Sequence, residues 1–380
     1  MAMNPAPPNF TRKNSELVLR IALSRLKGMT IGFAGMIESR FASLSEFFES
    51  DTRTIAAILG SQSLKMFDRD VRDEALRTAR AEEEWITVNK VRPLYFTDAA
   101  YPQRLLDCPD APVILYTIGN TDFNTRHVIG IVGTRHATVY GLSFISRFLK
   151  ELSASIPDLI TVSGLAYGID IAAHRDSLTN NIPTVGVVAH GLSTIYPASH
   201  RKDAANMVRN NGAIITEYIH DAPVHRGNFL TRNRIIAGMC DAIIVVESAT
   251  KGGALLTARI AGDYNRDVFA VPGRINDIYS AGCNELIIKN RAAMLMSASG
   301  LCDAMGWTPV KNEGIQHEIV IELSDEEQKI ADYLTRHGES FLNKMSVDLN
   351  IVTHRLIQTL GEMEFNGVVI SHPGGKYSLA

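Results

Sequence analysis

Five apolar runs of this chain each end in a polar turn, and those turns hold the residues best suited to chemistry. After the first run comes Gly133-Thr134-Arg135-His136, and after the second Ser163-Gly164-Leu165-Ala166-Tyr167-Gly168-Ile169-Asp170. The third leads to Gly191-Leu192 and on to Tyr196-Pro197. The fourth leads to Glu217 and then Phe229-Leu230-Thr231-Arg232-Asn233-Arg234, and the fifth to Glu247 and then Lys251-Gly252-Gly253. Glycine-rich turns that feed helix N-termini offer free backbone N–H groups and the positive end of a helix dipole to an anion. Arg135 and Arg232 add planar guanidinium forks that match phosphate oxygens. Glycines also occur simply to permit tight turns. Several such turns on one rim, two of them with arginines, favour a phosphate pocket.

Other chemistries fit less well. A dinucleotide site needs G-x-G-x-x-G and an acidic residue after the second strand, whereas this chain has Gly130-Ile131-Val132-Gly133 and Ser163-Gly164. Ser163, Asp170 and His174 invite a catalytic triad, yet no G-x-S-x-G elbow is present. Helix spacing puts Asp170 and His174 on one face, where they can simply fix the helix start. Glu217 and Glu247 could pair as catalytic carboxylates, but acids at strand ends commonly hold arginines or loop backbone. Nucleic acid requires a cationic track with flat side chains. Between Ala198 and Ile235 stand six Lys/Arg against three acids, beside His200, His220, His225, Tyr218 and Phe229. The expected DNA- or phosphate-binding set is therefore Gly133, Thr134, Arg135, Ser163, Gly164, Ala166 and Gly168 from the first two turns. His200, Arg201, Lys202, Phe229, Arg232, Asn233, Arg234, Lys251 and Gly252 complete it. No catalytic residue, metal ligand or cofactor is expected.

To bring these turns together the chain must form an open sheet. Strand-like runs at His127–Val132, Leu159–Val162, Pro183–Ala189, Ala213–Thr216, Ala242–Val246 and Asp267–Val271 alternate with helical stretches at Tyr140–Ile156, Gly168–Thr179, His200–Asn210 and Gly253–Tyr264. That rhythm predicts an α/β fold with a parallel sheet covered on both faces. Such sheets bind ligands beyond the C-terminal ends of their strands. Ahead of it, residues 1–14 read as a disordered tail and residues 15–82 as a small helical domain. The turn Leu26–Gly32 sits where a helix-hairpin-helix loop would, but Thr30 replaces a glycine and packing is the preferred role. A Pro-punctuated connecting region, Trp85–Gly119, opens the sheet domain over 83–305. A linker over 306–322 precedes a domain over 323–380, where Ser324-Asp325-Glu326-Glu327 opens a helix as a capping box. Three helices and a terminal hairpin there describe a winged helix, and Glu362 and Glu364 in its candidate recognition helix suit a protein-contact or packing role better than a DNA groove.

Composition narrows the class. The chain has 380 residues, 46% apolar and 21% charged, ordinary for a globular protein. Its apolar runs are too short to span a bilayer, and its N-terminus lacks the apolar core of a signal peptide. Four scattered cysteines without a C-x-x-C pair argue against a disulfide framework or zinc site and suit a reducing cytoplasm. A net charge of −3 confines any nucleic-acid site to a local patch.

In order along the chain, Gly133-Thr134-Arg135, Ser163-Gly164-Leu165-Ala166-Tyr167-Gly168-Ile169-Asp170 with Ala173-His174, Gly191-Leu192 through Tyr196-Pro197, and Arg232-Asn233-Arg234-Ile235-Ile236-Ala237-Gly238 resemble the signatures of the DNA-processing protein A (DprA/Smf) family. So do Val246-Glu247, Leu256-Thr257-Ala258, Val271-Pro272-Gly273 and Gly282 through Ile287. The likeness is densest from Arg92 to Ala293. It implies an extended Rossmann-like sheet flanked by a SAM-like or helix-hairpin-helix-like N-terminal module and a C-terminal winged helix. It further implies a non-enzymatic protein of the cytoplasm that forms a homodimer, binds single-stranded DNA with little sequence preference, and loads the RecA recombinase during natural transformation. On this resemblance Arg135 matches the pocket arginine, and Arg232 and Arg234 the R-N-R segment. His200, Arg201 or Lys202 take over a basic role at Ala198, where some members have lysine. Gly252 and Ala254 stand where serines are common, with Lys251 beside them, and Leu230 replaces a frequent proline. Two readings stay open beside it. One is a nucleotide-processing enzyme of phosphoribohydrolase type with Glu247 as its catalytic acid; the other is a scaffold with a vestigial pocket.

Overall fold

The computed structural model describes residues 14–60, 66–310, 323–365 and 367–379. Of the tail expected over 1–14 only Asn14 falls among them, and residues 311–322 of the expected linker lie outside. The described residues up to 310 form one compact unit and those from 323 a second.

The first unit opens with helices α1 (Glu16–Arg25), α2 (Ile31–Arg40), α3 (Leu44–Glu49), α4 (Thr52–Leu59) and α5 (Arg69–Val88). Each begins at a side chain that accepts a backbone N–H: Ser15, Thr30, Ser43, Asp51 and Asp68. Such caps satisfy donors that a helix start otherwise leaves orphaned. Phe47, Phe48, Phe67, Ile21 and Leu23 fill the core of this layer. Thr30, which departs from the hairpin-loop pattern, commits its hydroxyl to capping α2.

The charged stretch Arg80–Glu84 lies inside α5, so the helical layer runs on to Val88, past the boundary expected at 82. The connecting region then forms β1 (Arg92–Tyr95), α6 (Gln103–Leu106) and β2 (Ile114–Gly119). These strands pair antiparallel with each other, and β2 pairs antiparallel with β6. Pro93 within β1 and Pro109 and Pro112 ahead of β2 masked them as strands; Pro93 is tolerated because β1 is an edge.

The expected runs form β3 (His127–Val132), β4 (Leu159–Ser163), β5 (Thr184–Val187), β6 (Ala213–Thr216), β7 (Ala242–Val245) and β8 (Asp267–Ala270). With β9 (Ala293–Met294) they extend the sheet to the order β1-β2-β6-β5-β4-β3-β7-β8-β9, parallel from β6 onward. Helices α7 (Val139–Ser155), α8 (Ile169–Thr179), α9 (Arg201–Arg209), α10 (Arg226–Met239), α11 (Gly253–Asp263), α12 (Ala281–Ile288) and α13 (Ala298–Met305) cover it. Alternation along β3 shows the two-sided burial: Val128 and Val132 face one core, Ile129 and Ile131 the other. The chain leaves β3 toward β4 on one side and returns as β7 on the other. The crevice between the C-terminal ends of β3 and β7 is thus the topological switch point.

The second unit holds α14 (Asp325–His337), β10 (Ser340–Phe341), α15 (Leu342–Asp348), α16 (Thr353–Phe365), β11 (Val369–His372) and β12 (Lys376–Leu379), its strands in the order β10-β12-β11. The capping box at Ser324 and Glu327 forms as expected.

Candidate nucleic-acid interface

The turn after β3 is braced from both sides of the switch point. Thr134 donates its N–H to the Glu247 carbonyl at 2.7 Å, and its own carbonyl accepts from Ile169 N at 3.1 Å. Its hydroxyl accepts from His136 N–H at 3.1 Å. Gly168, which precedes α8, adopts φ +75° with its Cα so close to this turn that a Cβ would stand 2.3 Å from the Thr134 carbonyl oxygen. Only glycine fits there. Arg135 is left exposed at the tip.

Its guanidinium carbon lies 5.7 Å from the centroid of the Phe229 ring. Tyr196 lies tilted beside that ring, centroids 6.0 Å apart. A third aromatic, Tyr167, is 47% exposed just before α8. It meets the His200 ring edge-on at 4.9 Å and receives a hydrogen bond from Ser199. An uncommitted cation beside exposed aromatic faces suits a phosphate backbone with unpaired bases. Around them α7, α8, α9 and α11 all start without a side-chain cap.

The remaining expected residues divide by burial. Arg232 is 4% exposed, and its Nη1 donates to the carbonyls of Gly164, at 2.8 Å, and Val187. Burial lowers its pKa to about 10, with Asp170 beside it opposing and Arg135 reinforcing that shift. Burial raises the Asp170 carboxyl, while Arg232 pulls it back. Arg232 thus shapes the Gly164 turn from beneath, and Asn233 accepts from its Nε at 3.3 Å. Ser163 is buried and donates to the Ile131 carbonyl at 2.6 Å. His200 is buried with Nδ1 on the Leu165 carbonyl at 2.9 Å. Arg234 turns the other way, toward the helical layer. It pairs with Glu217 at 2.5 Å and lines a cavity of about 260 Å³ with Gly28, Thr30 and Asp110. Arg201 and Lys202 are exposed in the first turn of α9. Lys251 is exposed, and Gly252 half-buried, on the turn between β7 and α11. Gly133 and Ala166 are half-buried within the braced turns.

The catalytic alternatives lose their geometry. His174 Nδ1 meets Thr184 Oγ1 at 2.7 Å and does not reach Ser163, whose hydroxyl is engaged elsewhere. Glu247 is 2% exposed, and its carboxylate accepts from the Thr138 N–H at 2.9 Å and hydroxyl at 2.5 Å. It holds the start of α7. Among the described residues no group of three His, Cys, Asp or Glu side chains gathers as metal ligands would, and no helix is long and apolar enough to cross a membrane. Sequence reasoning left Tyr167 and Tyr196 out of the site set, although aromatics next to Gly168 and Pro197 in rim turns were a usable signal.

A family model described as DNA recombination-mediator protein A matches residues 92–306, more than half of the chain. Protein Smf of Synechocystis sp. is 32% identical over 316 residues, spanning 81% of this chain and 77% of that one. The X-ray structure of DNA processing protein A from Streptococcus pneumoniae superposes with a TM-score of 0.63 at 28% identity, over 77% of this chain and 98% of that one. DNA processing protein A from Helicobacter pylori, whose structure concerns a single-stranded DNA binding mode, gives a TM-score of 0.51 at 29% identity, over 57% and 95%.

Proposed function

Because this chain belongs to the DNA recombination-mediator protein A family, we propose that its rim binds single-stranded DNA without turnover. The observation that carries the reading is Arg135, exposed at the switch point with its guanidinium over Phe229 and with Tyr196 beside that ring. The cation meets the backbone while the rings take bases by their faces, which every base offers alike; binding is then strong in charge and tolerant in sequence. Gly133, Thr134, Gly164, Ala166, Gly168 and Gly252 supply backbone at the turns, and Arg201, Lys202 and Lys251 lengthen the cationic track. Ser163, His200, Arg232 and Asn233 hold those turns in shape.

Titration of labelled oligo-dT against duplex at several salt concentrations tests this. Arg135→Ala weakens binding and flattens the salt dependence by about 0.7 in log–log slope, one phosphate contact on a single strand. Phe229→Ala costs about 1–3 kcal/mol with the slope kept. Wild-type affinity in both variants removes the rim as the site.

The reading extends to natural transformation: a cytoplasmic homodimer protects incoming strands and loads the RecA recombinase on them. Recombinase filament growth on coated single strands, with and without the protein, tests the loading step. The C-terminal unit contacts protein in this scheme, since α16 carries Glu362 and Glu364 and its Arg355 is already paired with Glu326.

A further inference from the structure

Glu82, on α5 of the helical layer, is 1% exposed, and the hydrogen bonds its carboxylate accepts among the described residues come from one histidine, His220, in the loop after β6. His220 brings its backbone N–H to both carboxylate oxygens, at 3.0 and 3.2 Å, and its ring Nδ1 to one of them at 2.5 Å. Trp85, one turn further along α5, lies flat on the imidazole, centroids 4.7 Å apart and planes within 12°. A carboxylate is costly to bury, and attachment of the layers does not need it, because Leu192 and Ile219 already pack into the helical core. What the carboxylate adds is orientation, with its donors drawn from a single residue.

His220 is also where two rim loops are laced together. Its carbonyl accepts from Ser193 N–H at 3.0 Å, and two residues on the Ala222 carbonyl accepts from Gly191 N–H at 3.0 Å. Gly191 approaches so closely that a Cβ would lie 2.1 Å from the His220 carbonyl oxygen and 2.2 Å from that of Ile219. The first of these loops ends at Tyr196. The second runs on into α10 and Phe229, and the Tyr196 and Phe229 rings lie 6.0 Å apart, tilted by 59°.

We propose that Glu82 is a positioning residue for the nucleic-acid site: by fixing His220 it sets the pose of both loops, so that the helical layer is part of the DNA-binding apparatus. The proposal rests on the single-stranded DNA reading of the rim. It places the residue that aligns the aromatic platform on α5 of the helical layer, outside the sheet whose turns form the rim.

The test uses the full chain, fluorescent oligo-dT and amide hydrogen exchange. Glu82→Ala is expected to weaken oligo-dT binding about tenfold, as befits a buried hydrogen-bonding group left unpaired. Exchange speeds up over residues 190–196 and 218–229 while α1 to α4 stay protected. Glu82→Gln, which keeps an acceptor for the His220 N–H, recovers part of the affinity. His220→Asn weakens binding too, and the double variant is no worse than the weaker single one, because both act through one contact. Should Glu82→Ala fail to fold, His220→Asn and Glu82→Gln carry the same test. Wild-type affinity in Glu82→Ala, or additive losses in the double variant, overturns the proposal. If in the same assay Arg135→Ala is weakened and the Glu82 variants are not, the DNA reading stands and only the positioning role falls. If the unsubstituted chain does not bind oligo-dT, the DNA reading fails and the proposal with it.

Discussion

The helical layer and the rim of the sheet finish their helices differently. Among the described residues, the five helices of the layer start at a Ser, Thr or Asp whose side chain takes a backbone N–H. At the rim, α7, α8, α9 and α11 start with no such cap, whereas α10 begins at one, the His225 ring that accepts from Gly227 N–H. One arginine from each region shows a parallel contrast. Arg72, fully buried in the layer, serves the carbonyls of Phe67, Phe47 and Phe48 at 2.9, 3.0 and 2.6 Å, whereas Arg135 at the rim is exposed over an aromatic ring. A region built for stability closes its own donors. On the proposed function, the rim leaves some donors open for an anion from outside.

Arg232 crosses that division, since it sits at the rim yet is engaged like Arg72. Removing either arginine leaves buried carbonyls without a donor, so Arg72→Ala and Arg232→Ala are each expected to cost about 3–5 kcal/mol in denaturant unfolding. Their second readouts separate them. The folded fraction of Arg72→Ala keeps its affinity for oligo-dT, while Arg232→Ala also loses affinity as the Gly164 turn loosens. Equal DNA affinities in the two variants would erase the distinction between layer and rim.

What the sequence revealed and hid follows from range. The parallel strands were legible because burial on both faces demands unbroken β-branched runs such as Ala242–Val245. The rim was legible for the same reason, since every such strand must end in a turn. The pair β1 and β2 was not, because Pro93 and the prolines after it broke the pattern. Arg135 and Arg232 look alike in a sequence, and only packing tells which guanidinium is enclosed. The contact of Glu82 with His220 joins residues 138 apart and leaves no local trace.

His174 sharpens the comparison from behind the rim. It is fully buried on α8, and burial lowers its pKa from 6.5 to about 3. An unfolded chain therefore takes up a proton near pH 6.5 that the folded chain refuses until about pH 3. Between those values the unfolded state binds more protons, so stability falls as the pH drops, by at most about 1.4 kcal/mol per pH unit from this group. Melting temperatures from pH 7 to pH 4 should fall more steeply for the wild type than for His174→Gln, which has nothing to titrate. Parallel curves would mean that His174 does not set the acid stability of the rim.

The smallest effect is expected in the C-terminal unit, whose α16 carries an arginine and a histidine, as the rim does. Arg355 reaches Glu326 with Nε at 3.0 Å and Nη2 at 2.8 Å, and Thr359 donates to the same carboxylate at 2.9 Å. That pairing holds the Glu326 carboxyl below its usual range, Arg355 contributing most. A cation matched in this way has little left for phosphate, and the acids at Glu362 and Glu364 repel it. An exposed pair of this kind also contributes little to stability. Arg355→Ala should change oligo-dT affinity by less than about twofold and leave the salt slope unaltered. Were the slope to drop as it does for Arg135→Ala, α16 would belong with the rim as a second phosphate contact, and pairing in the free protein would no longer tell a structural arginine from a ligand-binding one.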